Sequence, residues 1–103
     1  MNGRYVLEGH NAVLCDDLRA WARWLEGKDA RRVKHTKFGK VNVSTVFLGI
    51  DHSFGGATPM LFETMVFGGP LDQEQDRYSN WEDAEKGHDA MVERVKSKPL
   101  PRA

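Results

Sequence analysis

VNVSTVFLGIDHSFGGATPMLFETMVFGG, residues 41–69, holds two apolar runs rich in β-branched and aromatic residues. Between them lies the nine-residue segment DHSFGGATP, with Gly55, Gly56 and Pro59. This is the composition of two neighbouring strands joined by a long connection. In the first run Val46, Leu48 and Ile50 fall on one side and Val41, Val43 and Phe47 on the other. In the second, Leu61, Met65 and Phe67 oppose Met60, Phe62 and Val66. A strand apolar on both sides is covered on both, so the pair is expected in the middle of a sheet.

The flanking segments supply partners for that pair. Tyr5-Val6-Leu7 and Val13-Leu14, separated by the turn residues Gly9 to Ala12, predict a hairpin over 4–8 and 12–14. Asp16 or Asp17 can cap a helix whose apolar stripe is Leu18, Trp21, Ala22 and Leu25, with Gly27 as its stop and Trp24 at the core margin. ARRVKHTKFGKVNVS, residues 30–44, reads as a second hairpin with Val33 and His35 on one side, a turn over Lys37 to Lys40, and a basic exposed face. LDQEQDRYSN, residues 71–80, has no apolar periodicity and reads as an acidic surface loop. Ser79 and Glu82 form a capping-box pattern. The helix it opens carries Trp81, Ala84, His88, Met91, Val92 and Val95 on one stripe and runs to about Val95 or Lys96. The expected fold is α+β: a mainly antiparallel sheet of about four strands with two amphipathic helices packed on one face. Residues 1–98 form the domain, and 99–103 are a basic tail behind Pro99 and Pro101. The second face of the sheet then needs loops or another subunit to cover it, which suggests a homodimer.

Composition narrows the function classes. A chain of 103 residues, 40% hydrophobic and 29% charged, supports one core and is not a disordered segment. Cys15 is the single cysteine, so no internal disulfide forms, which fits a reducing cytoplasm. No apolar run approaches the roughly 20 residues of a membrane span, and Arg4, Glu8 and His10 interrupt any secretory leader. Net charge is zero, yet the charges are sorted. Six Lys or Arg stand between Lys28 and Lys40 against Asp29, and eight acids stand between Asp51 and Glu85 against Arg77.

Two constellations carry chemistry. Asp51 and His52 open the long connection, Glu63 sits inside the second apolar run, and His88 lies on the helix stripe beside Gly87. Brought together, these four would suit a divalent metal or acid–base work. No HExxH or paired-cysteine spacing supports that. The preferred reading makes His88 and Glu63 structural, with no metal and no cofactor assigned. Arg31, Arg32, Lys34, Lys37 and Lys40, with Phe38 at the hairpin tip, are the nucleic-acid candidates: cations for phosphates and a ring for stacking. Ser44, Ser53 and Ser79 lack a nucleophile elbow. The glycines of FGGATP and FGGP match no phosphate loop.

VSTVFLGIDHSFGG (43–56), LFETMVFGGPLD (61–72) and RYSNWEDAEKGH (77–88), together with CDDLRAWARWLE (15–26), resemble a family of small phage and prophage proteins. The resemblance covers about residues 4–95; Ala57-Thr58-Pro59 and Asn80 depart from it. That family has no assigned activity, so the resemblance hands over no catalytic residues. It implies a phage-associated accessory protein in the cytoplasm of the bacterial host. Such a protein would bind a host or phage protein, for example to counter a host defence, without catalysis. A nucleic-acid-binding module and a small metal-dependent enzyme are the alternatives.

Overall fold

The two apolar runs become β4 (Val41–Phe47) and β5 (Phe62–Phe67), antiparallel and central in a four-stranded sheet. β3 (Arg32–Phe38) flanks β4 and β6 (Gln75–Tyr78) flanks β5, both antiparallel, in the order β3-β4-β5-β6. The computed structural model describes residues 3–53, 56 and 58–98. The tail expected at 99–103 lies outside them, as do Phe54, Gly55 and Ala57 of the long connection. β1 (Tyr5–Glu8) and β2 (Asn11–Leu14) form a separate two-stranded sheet. The chain is completed by α1 (Leu18–Leu25), the single turn α2 (Lys28–Arg31) and α3 (Trp81–Ser97). The fold is α+β, as expected. The fourth strand of the main sheet is β6, however, in the segment expected to be a loop. No described helix is long and apolar enough to cross a membrane.

Both hairpin turns are two residues long, Gly9-His10 and Gly39-Lys40, with glycine first and at positive φ. A Gly-first pair turns the chain with a twist that matches the flanking strands.

Packing follows strand parity. Val41, Val43, Thr45 and Phe47 of β4, with Phe62, Thr64 and Val66 of β5, are buried on one face. α3 lays Ala84, His88, Met91, Val92 and Val95 across them, the stripe read from the sequence. Its cap is Asn80 rather than Ser79: the Asn80 side chain accepts from the Asp83 N–H at 2.8 Å. At Gly87 the helix passes close against β6, because a Cβ there would overlap the Tyr78 ring. Phe47 and Phe62 have no exposed surface, and truncating either to Ala would cost about 3–5 kcal/mol.

The first hairpin and α1 extend this same side. Leu7 joins the Phe47–Phe62 cluster, with Tyr5, Ala12 and Trp24 against it. Asp17 caps α1 by accepting from the Arg19 and Ala20 N–H groups. The stripe of α1 is shifted from the one expected. Leu18 is 57% exposed and Ala22 faces solvent. Trp21 and Leu25 of that stripe are half-buried, and Trp24 joins them: the Trp21 indole donates to the Gly49 carbonyl at 3.0 Å, and Trp24 meets Phe47 edge-on at 5.6 Å. Two large rings on adjacent turns bury more area than a leucine and an alanine, so they set the rotation of the helix.

A candidate functional site on the open face of the sheet

The four residues suggested as an acid–imidazole cluster do not converge, and strand parity is the reason. In β5 Thr64 points toward α3, so its neighbour Glu63 points to the opposite face. There the Glu63 carboxylate accepts from the Arg77 guanidinium at 3.0 Å across the β5–β6 pair. His88 lies on the helix side of the sheet, fully buried. Among the described residues no three His, Cys, Asp or Glu side chains are grouped to hold a metal ion.

His88 is instead the head of a buried polar chain. Its Nε2 is hydrogen-bonded to Thr36 Oγ1 of β3 at 2.8 Å and its Nδ1 to Thr45 Oγ1 of β4 at 2.7 Å. The Thr45 hydroxyl continues to that of Thr64 on β5. A neutral imidazole, one nitrogen donating and one accepting, satisfies both threonines. Burial, and then the Lys34 ammonium, lower the imidazole's pKa and hold it in that state. The chain ties α3 to the three consecutive strands β3, β4 and β5.

Asp51 is committed within its own loop. It accepts from the backbone N–H groups of Ser53 at 2.8 Å and Met60 at 2.9 Å, and from the Ser53 hydroxyl. The Met60 and then the Ser53 amide hold its carboxyl below its usual range. His52 contributes its backbone N–H to the Met60 carbonyl. Together these bonds close the neck of the long connection.

The basic hairpin divides between two faces. A bulge between Arg32 and Lys34 places Val33 and Lys34 together on the helix side. There Val33 packs into the core and Lys34 pairs with Asp89 of α3 at 2.7 Å. Val33 and His35 therefore do not share a side. Phe38 stands opposite Val41, also on the helix side, with the Lys96 ammonium 6.0 Å from its ring centre. Arg31 is half-buried in α2, and Lys40 is exposed in the turn. Only Arg32 and Lys37 of the five basic candidates pair with outward-facing residues of β4, Val46 and Asn42.

What the sheet leaves outward is an ordered array. The first row across the strands is Arg32, Val46, Glu63 and Arg77. The second is His35, Ser44, Met65 and Gln75, and the third is Lys37, Asn42 and Phe67. Among the described residues no helix covers this face. Val46 and Met65 are half-buried by their neighbours, and Phe67 is 48% exposed. The result is an edge of Arg32, His35 and Lys37 on β3, with Val46 of β4 and Met65 and Phe67 of β5 as the apolar members of the array. One internal ion pair, Arg77–Glu63, is held in place by the strand register. The sequence carried this array in the alternation of β4 and β5, but the acidic segment 71–80 concealed the strand that completes it.

No family model, no curated protein and no solved structure matches the chain.

Proposed function

We propose that this chain acts by binding another macromolecule through the open face of its four-stranded sheet, with no catalysis. The observation that supports the reading is the outward apolar group of Val46, Met65 and Phe67, one from each row of the array, on the face opposite α3. Apolar side chains grouped on one face and rimmed by polar residues are what a partner's surface packs against. An apolar centre with a charged rim is the anatomy of a protein interface. In the setting the phage resemblance implies, the partner is a host or phage protein and the chain an accessory factor that counters a host process. A second copy of the chain is the competing occupant of the same surface.

A nucleic-acid reading also has a specific observation behind it. Arg32, His35 and Lys37 line one margin of the array, and the Phe67 ring stands free to stack on a base. That reading moves from the hairpin tip to the sheet face, because Lys34 and Phe38 are engaged on the helix side.

Capture from infected host lysate, comparing the wild type with a Phe67→Glu variant of equal Tm, tests the proposal. A protein retained by the first and lost by the second supports it. Equal retention refutes it. Retention of single-stranded nucleic acid that falls steeply with salt transfers the surface to the second reading. Dimerisation abolished by Phe67→Glu assigns it to self-association.

A further inference from the structure

A second surface feature lies at the far end of the molecule, where the β3–β4 turn, the Gly68-Gly69-Pro70 segment and the last turn of α3 meet. They enclose a cavity of about 380 Å³ whose floor is Phe38, Val41, Pro70, Leu71 and Val95. That volume is at the lower end of the range for small-molecule sites, which are mostly apolar with a few convergent polar groups. The convergent groups here are cationic. Lys40 and Lys98 line the cavity, and Lys96 sits over the Phe38 ring. Among the described residues no carboxylate lines it; the nearby Asp72 is occupied by the Gly68 N–H at 2.6 Å.

We propose that this cavity binds a small amphipathic anion, an aliphatic carboxylate of medium chain length. Its chain would lie on the Phe38–Leu71–Val95 floor and its head group against Lys40 and Lys98. The C-terminal end of α3 opposes an anion with about half a charge, and three ammonium groups outweigh it. Charge decides among ligands of equal length. An alkyl alcohol gains the same apolar burial without the ion pairing, and an alkylamine is repelled. This site is independent of the open sheet face and stands or falls without it.

The test titrates octanoate, octanol and octylamine into the isotope-labelled full chain and follows its NMR spectrum. Saturable shifts confined to Val41, Leu71, Val95 and the Phe38 ring are expected for octanoate. About fivefold weaker binding is expected for octanol, the effect that two exposed lysines supply, and weaker binding still for octylamine. A Lys40→Gln/Lys98→Gln double variant of unchanged Tm should bind octanoate no better than octanol. Absence of saturable shifts, or equal affinities for the three compounds, overturns the proposal. A chain ending at Lys98 is titrated alongside. Octanoate binding to that chain alone would mean the cavity is filled from within the whole protein, and would also overturn it.

Discussion

Replacing Thr45 by Val keeps the shape of a fully buried side chain and deletes one hydroxyl. That hydroxyl links His88 Nδ1, 2.7 Å away, to the Thr64 hydroxyl, so its loss takes a hydrogen-bond partner from two buried polar groups. Each stranded buried group costs about 1–3 kcal/mol. The added methyl returns less than about 1 kcal/mol. A net loss of about 1–5 kcal/mol follows; at its midpoint of about 3 kcal/mol, with about 4–8 °C per kcal/mol for a domain of this size, Tm falls by about 12–24 °C. Urea unfolding followed by tryptophan fluorescence measures it, since Trp24 and Trp81 both pack against the Phe47–Phe62 cluster. Ser44→Val, one residue away and facing outward, is the control and should stay within about 0.5 kcal/mol. A Thr45→Val protein as stable as the wild type would refute the claim that the threonine–histidine chain holds α3 on the sheet.

Two further outcomes rest on the same packing. His88 is neutral in the fold with its pKa lowered, whereas in the unfolded chain it titrates near 6.5. Below that pH the unfolded state takes up the proton first. The His88 contribution is therefore complete above about pH 6.5 and is lost on acidification, and a His88→Gln variant should show a flatter stability profile between pH 7 and 5. Gly87→Ala should destabilise by about 1–3 kcal/mol in thermal melts, although alanine is the better helix former, because its Cβ would overlap the Tyr78 ring. A Gly87→Ala protein that melts higher than the wild type would contradict that close approach.

The parts of the fold legible from sequence were those whose local signals agree with their burial. β4 and β5 announce themselves by β-branched runs, and α3 by a stripe of six residues of which five are buried and Trp81 is half-buried. The parts that were not legible are set by tertiary context. Gln75-Asp76-Arg77-Tyr78 has no strand composition; it is a strand because the exposed edge of β5 supplies its hydrogen bonds. α1 is turned by its two tryptophans, which outweigh the regular spacing of Leu18 and Ala22. The bulge before Lys34 reverses the side taken by Val33, and no residue there signals it. The acid–imidazole cluster failed on a point the sequence did carry: Glu63 stands beside Thr64, so one of the two must face away from α3. The two-sided apolarity of β4 and β5 implies helices on one face and loops or another subunit on the other. In the structure one side is roofed by α3, and the other, among the described residues, has no helix over it.

That asymmetry is tested most directly at two adjacent residues of β5. Met65 faces outward and Val66 lies beneath α3, fully buried. Glutamate is placed at each in turn, and thermal unfolding is measured with retention of the captured partner. Met65→Glu should melt within a few degrees of the wild type and lose the partner, while Val66→Glu should not fold. A Met65→Glu protein that unfolds, or one that keeps its partner at full strength, would contradict the account.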